Sequence, residues 1–293
     1  MKRAAVLVLA MTVLAGLAAA HQDPAQGQPG QQPPAAQSPA QAAPPGKTPP
    51  QAKTAEESEA FQDAARIQDP QALEAAANRF AEKYPDSDLR LLVYYRAMFA
   101  YQEQNNADKC IEMGRKVLAL NPEEPVTLAV VAAMLSEKTR ENDPDHDERL
   151  QEAMQDAQKA LQTIETGLVY APGTPAEQVE RSKRLVRSVA YSAIGTVYFA
   201  EKEYLGAQRN LKMAIDLSPE RPDAATVLRY AIALEMQMKY DGALTAMDQA
   251  IELSQPGSQV SRMARQERER VLKRMAAPPP KATPPPEDDE PDE

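Results

Sequence analysis

The stretch YSAIGTVYFAEKEYLGAQRNLKMAIDLSP, running from Tyr191 to Pro219, decides the fold. Its apolar residues recur at helical spacing. Tyr191, Ile194, Gly195 and Tyr198 form one stripe, and Ala207, Leu211 and Ala214 form a second. A turn falls around Glu203 between the stripes, and Pro219 stops the second helix. By propensity alone Gly195 is misplaced, because Gly costs about 1 kcal/mol relative to Ala inside a helix. The small residues make sense if the two helices run antiparallel and touch at Gly195 and Ala207, where longer side chains would hold them apart.

The pattern recurs. YLGAQ at Tyr204–Gln208 is echoed by YDGAL at Tyr240–Leu244. There Val227, Tyr230, Ala231 and Leu234 form a first stripe, and Gly242, Ala243, Met247 and Ala250 mark the second helix. Upstream, Tyr94, Ala97, Met98 and Tyr101 precede Cys110, Gly114 and Val117, and VLALNP ends that pair at Pro122. Cys110 stands at the small position, where a thiol packs as a small hydrophobe. Leu128, Val131, Ala132 and Leu135, followed by Ala153, Ala157 and Ala160, make another pair whose turn is lengthened by TRENDPDHDER. DPQALEAAANRFAEKYPDSD supplies the second helix of a divergent first pair ending at Pro85. Five helix pairs are thus expected over about 54–86, 87–122, 124–169, 175–220 and 221–254. Pro175 starts an extended first helix in the fourth pair. An amphipathic helix over 259–276 follows Pro256 and Gly257 and covers the apolar end that stacked repeats leave open.

These residues resemble the tetratricopeptide repeat (TPR): W-x2-L-G-x2-Y, then A-x3-F, then Ala and Pro, with Tyr191 in place of the Trp and Leu211 in place of the Phe. The resemblance covers about two-thirds of the chain and is strongest over Tyr191–Pro219. It implies an all-α fold, a TPR-like right-handed superhelix of about five antiparallel helix pairs plus a C-terminal capping helix. KYPDS at Lys83–Ser87 is similar to bacterial cell-envelope members of the superfamily.

The flanks read differently. In MKRAAVLVLAMTVLAGLAAA, Met1 to Ala20, a basic start, an apolar run and a small-residue cleavage site describe a signal peptide. Retention of the segment as an anchor is the alternative. Residues 21–53, rich in Pro, Gln and Ala, lack large apolar residues and read as a disordered linker. Residues 277–293 read as a disordered, Pro-rich, acidic tail, a solvating extension with a docking arm as the less supported option. An exported protein of the periplasm or cell envelope is the expectation, with no stable membrane span once the signal peptide is cleaved.

Composition narrows the chemistry. A net charge of −10 over 293 residues lacks the basic footprint of general nucleic-acid binding. One cysteine permits no internal disulfide. The acids around His146 in DPDHDE begin like a calcium loop, but Glu148 stands where a sharp turn needs Gly and Met154 where a bidentate Glu is needed, so they read as a solvated loop whose acids cap the following helix. No phosphate loop, nucleophile elbow or zinc-protease motif is present. No catalytic residue, metal or cofactor is assigned, and the expectation is not an enzyme. Two basic clusters, Arg181–Arg187 and Arg262–Arg274, are interleaved with Glu and read first as solvated, ion-paired helix faces, second as sites for an anionic partner.

In TPR proteins the first helix of each pair lines a concave groove, and its second, fifth, ninth and twelfth positions meet ligand. Carried over, the resemblance gives Leu92, Tyr95, Phe99 and Gln102; Val126 and Ala129, with Ala133 and Ser136; Val189, Ser192, Thr196 and Phe199; and Leu228, Ile232 and Glu235, with Ala225. None of these sets has the Lys and Asn pairing by which some relatives grip a terminal carboxylate. The lining is apolar or neutral almost throughout, suited to an extended strand or amphipathic helix anchored on Tyr95 and Phe99. Burial of the same residues against the superhelix's own turns, or in a dimer, competes with that reading. The implied function is a protein–protein interaction scaffold or adaptor binding other proteins or peptides, and the alternative is an oligomer-forming assembly factor.

Overall fold

The computed structural model describes residues 49–276. Among them lie α1 (Ala55–Arg66), α2 (Pro70–Lys83), α3 (Leu89–Glu103), α4 (Ala107–Leu120), α5 (Pro125–Lys138), α6 (His146–Gly167), α7 (Ala176–Ala200), α8 (Tyr204–Leu217), α9 (Ala224–Glu235), α10 (Tyr240–Leu253) and α11 (Gln259–Ala276). They form five antiparallel pairs and a capping helix, with no strand element among the described residues. The signal-peptide reading, the acidic tail and most of the linker fall outside the described residues. Lys53, assigned to the linker by composition, is held in place: its Nζ donates to the Asp86 carbonyl at 2.6 Å and its N–H to Glu57 Oε2 at 2.6 Å.

Local chemistry sets the helix ends. Thr54, Asp69, Asn106 and Asp223 each accept a backbone N–H of the following first turn. Glu124 caps α5 through the N–H groups of Val126 and Thr127, while Pro70 and Pro125 start α2 and α5. The α5–α6 insertion closes on itself. Asp143 Oδ2 accepts from the Arg140 N–H at 2.8 Å, and Arg149 lies 3.7 and 3.6 Å from Asp143 and Asp145. Asp145 makes no side-chain cap to α6, so these acids stabilise the loop rather than the helix start.

The turns inside pairs two, four and five share one construction. Asn105, Lys202 and Met238 have φ of 56°, 63° and 59°. Immediately after them, Asn106, Glu203 and Lys239 donate N–H groups back to the carbonyls of Tyr101, Tyr198 and Leu234, at 2.9, 2.8 and 3.0 Å. Each is a Schellman end, which satisfies carbonyls the helix leaves orphaned and reverses the chain. Three equivalent positions of the sequence repeat therefore carry the same backbone device.

Close helix packing follows the small residues. A Cβ placed on Gly195 would lie 2.7 Å from Leu211 Cγ and 2.9 Å from Leu211 N, so α7 and α8 touch backbone to backbone here. Ala207 and Ala214 on α8, Ala243 and Ala250 on α10, and Cys110 on α4 are all buried. Tyr94, Tyr191 and Tyr198 are partly buried and pack on the main core, and Pro219 is exposed beyond the end of α8. Gly242 departs from its expected packing role. It is exposed, and its nearest neighbour across the pair, Leu234 Cδ1, is an ordinary 3.4 Å from a built Cβ. Gly206, the equivalent residue one repeat earlier, is tight instead, with the Tyr198 ring carbons 2.9–3.1 Å away.

The largest core cluster joins α2 through α7, with separate clusters at α1–α3 and at α9–α11. Helix α5 runs through the centre. Its residues from Pro125 to Ala132 are all buried, leaving it no wet face along that length.

Candidate interaction surface

Winding the pairs into a superhelix closes the groove over α3 and α5. Tyr95 and Phe99 pack edge to face at 4.8 Å between ring centres, inside the cluster that holds Val126, Ala129, Val186 and Ala190. Burial pushes the Tyr95 hydroxyl well above its ordinary pKa, with the Glu124 carboxylate adding to the effect. Leu92 is buried in the α1–α3 cluster, and Gln102 is half-buried with its Oε1 lacking a hydrogen-bond partner. The long α7, which packs on both α5 and α6, covers what shorter repeats leave open. Self-burial is the state of these positions in the single chain.

The C-terminal half of the groove differs. Val189, Ser192, Phe199 and Ile232 stay partly open, whereas Thr196 and Leu228 are buried. Ser192 and Thr226 hydroxyls share a 2.9 Å hydrogen bond between α7 and α9, and Thr196 returns its hydroxyl to the Ser192 carbonyl at 2.8 Å. Glu235 is already engaged. Its side chain is 0% exposed, and Arg270 and Arg274 of α11 reach it at 2.9 and 3.1 Å. The capping helix thus occupies the last groove carboxylate.

Those same bonds build a surface that shares only Phe199 with the groove positions. Helices α7, α9 and α11 run in the same direction and finish along one edge. There the Gln237 amide donates to the Tyr204 carbonyl at 3.1 Å, fastening the α9–α10 turn to the start of α8. The Glu235 clamp brings the end of α11 alongside. The resulting edge presents Leu205, Met236, Met238, Leu272 and Met275, which are 51, 47, 75, 40 and 47% exposed. Phe199 sits at its root, edge-on to Tyr204 at 5.8 Å. Of the eight strongly exposed large apolar residues among the described residues, five are on this edge; the other three, Met213, Leu253 and Met263, stand within α8, at the end of α10 and near the start of α11. The same edge is polar farther back, where Gln104, Asn105 and Asn106 are exposed and the exposed Lys202 and Glu141 pair at 2.9 Å.

Repeated Schellman turns, backbone contact at Gly195 and five stacked antiparallel pairs are together what the repeat pattern requires. The architecture is TPR-like. No family model matches the chain, and no curated protein matches it. Among solved structures it is similar to a thermophilic TPR protein of Thermus thermophilus, at 16% identity and a TM-score of 0.43, covering 74% of this chain and 99% of that one. In the TPR-like stack, this edge meets the concave positions only at Phe199.

Part of each basic cluster is matched by carboxylates. Lys183 is buried between Glu165 at 2.8 Å and Glu180 at 3.0 Å, and Arg187 joins Glu165. Cys110 is buried, and loss of solvent pushes its thiol up to about 12, which leaves it unreactive as a nucleophile. Among the described residues no group of three or more His, Cys, Asp or Glu is placed to hold a metal ion, and no helix is long and apolar enough to cross a membrane.

Proposed function

We propose that this chain is a non-catalytic protein–protein interaction scaffold for exported proteins. It holds an apolar strand or amphipathic helix of its partner along the Phe199, Leu205, Met236, Met238, Leu272 and Met275 edge. The observation that carries the proposal is that five of the eight strongly exposed large apolar side chains stand at the start of α8, the α9–α10 turn and the end of α11, which the Gln237–Tyr204 bond and the Glu235 ion pairs tie to one another. Isolated exposed hydrophobes are ordinary, whereas several at neighbouring helix ends suit a contact surface. Methionine suits the task, since its flexible thioether adapts to partners of differing shape. Val189, Ser192 and Ile232 extend the surface into the open part of the groove.

Export rests on the basic start and apolar run of Met1–Ala20. A photoreactive amino acid at Met238, compared with one at Tyr95, tests the surface in the native envelope. A discrete adduct with another envelope protein at position 238 and none at 95 is expected. Adducts at 95 alone would restore the concave groove as the site. Adducts joining two copies of this chain would replace the adaptor with a self-assembling factor.

A further inference from the structure

The outer face of α11 is rich in cations. In a chain of net charge −10, this helix has six cations against Glu267 and Glu269. Three cations are used inward. Arg270 and Arg274 hold Glu235, and Arg268 reaches Asp248 at 2.6 Å. Ser261, Ala264 and Val271 form the buried side. The side turned away from the stack carries Arg262, Arg265 and Lys273, all exposed. Arg262 donates to the Gly257 carbonyl, and Arg265 and Lys273 pair with no carboxylate among the described residues.

Directly after α11 the chain continues as APPPKATPPPEDDEPDE, which ends in six carboxylates between Glu287 and Glu293 and has Lys281 as its single cation. We infer that this acidic end folds back onto the Arg262, Arg265 and Lys273 face of α11, so that the chain covers its own open end. The lengths match. Ten residues lie between Ala276 and Glu287, eleven steps of chain, and a proline-rich segment spans about 3.1 Å per step, or about 34 Å. The helix it must retrace has 18 residues, about 27 Å at 1.5 Å per residue. The carboxylates can therefore meet every cation along it, and attachment to the same chain gives them an effective concentration in the millimolar range. The attraction is that of exposed charges, so salt screens it, with a Debye length of about 10 Å at 0.1 M and about 3 Å at 1 M. The inference does not depend on the partner edge.

Zero-length carbodiimide crosslinking of the full-length chain tests it, using an equal mixture of isotope-labelled and unlabelled protein. Amide links between Lys273 and Glu287–Glu293 within one chain are expected at low salt. They should fall at least fivefold in 1 M salt and in the Arg262→Glu, Arg265→Glu variant, whose helix content is checked by circular dichroism. Tail links spread evenly over exposed lysines such as Lys212 and Lys239 would overturn the inference. So would Lys273 links that join labelled to unlabelled chains.

Discussion

Replacing Gly195 by Ala isolates the contact on which the repeat depends. The new methyl carbon would stand 2.7 and 2.9 Å from Leu211 Cγ and Cδ2, and 2.9 Å from Leu211 N. Carbon contacts settle at about 3.5 Å or more. Leu211 can turn its side chain away, but its backbone nitrogen cannot move without carrying α8 outward. Overpacking of this kind costs about 1–3 kcal/mol, against about 1 kcal/mol recovered in helix propensity. The expected balance is a loss of about 1 kcal/mol, which in a folded unit of this size lowers Tm by about 2–4 °C. Gly242→Ala is the control, because its methyl meets only Leu234 Cδ1 at 3.4 Å. It keeps the propensity gain and should stabilise by about 0.5–1 kcal/mol. Urea and thermal unfolding followed by the helical circular dichroism signal measure both variants. If Gly195→Ala stabilises as much as Gly242→Ala, α7 and α8 do not meet as described.

Three further outcomes are expected. Arg270→Ala with Arg274→Ala strands the buried Glu235 carboxylate and should cost about 3 kcal/mol, more than Glu235→Gln, as read by urea unfolding. Asp156 is pushed up to about 6, first by burial and then by the Glu152 carboxylate. The folded state therefore binds this proton more tightly than the unfolded state, and stability falls as pH rises from about 4 to about 6. Asp156→Asn should flatten that decline and gain about 1–2 kcal/mol at pH 7, once solvent screening is allowed for; an unchanged pH profile would refute it. Cys110 should resist a thiol reagent in the folded protein and react only as the chain opens; rapid labelling under native conditions would contradict its burial.

Much of the fold was legible because local chemistry repeats with the pairs. Proline and capping residues mark the starts of α2, α4, α5 and α9, and Tyr101, Tyr198 and Leu234 each receive the same turn bond. The motif alone did not distinguish Gly206 from Gly242. The difference lies in the facing residue, a Tyr198 ring that fills the space and a Leu234 that leaves room. Which of the two readings of the groove holds at α3 and α5 was not legible, for a longer-range reason. Tyr95, Phe99, Val126 and Ala129 are covered by elements distant in sequence, above all the extended α7, whose placement no local pattern encodes. Glu235 likewise sits at a concave position yet is claimed by arginines from the cap. The apolar edge left one trace, the Met-x-Met of Met236 and Met238, set at a turn where solvent exposure favours polar residues.

Cysteine labelling compares the two surfaces directly. Tyr95→Cys, Ile232→Cys and Met238→Cys, each made with Cys110 left in its buried place, are exposed to a maleimide under native conditions. Fast labelling at 238, slower labelling at 232 and protection at 95 are expected. Equal rates at 95 and 238 in a protein of unchanged helix content would mean that the inner face of α3 is open, and that the partner surface belongs in the groove after all.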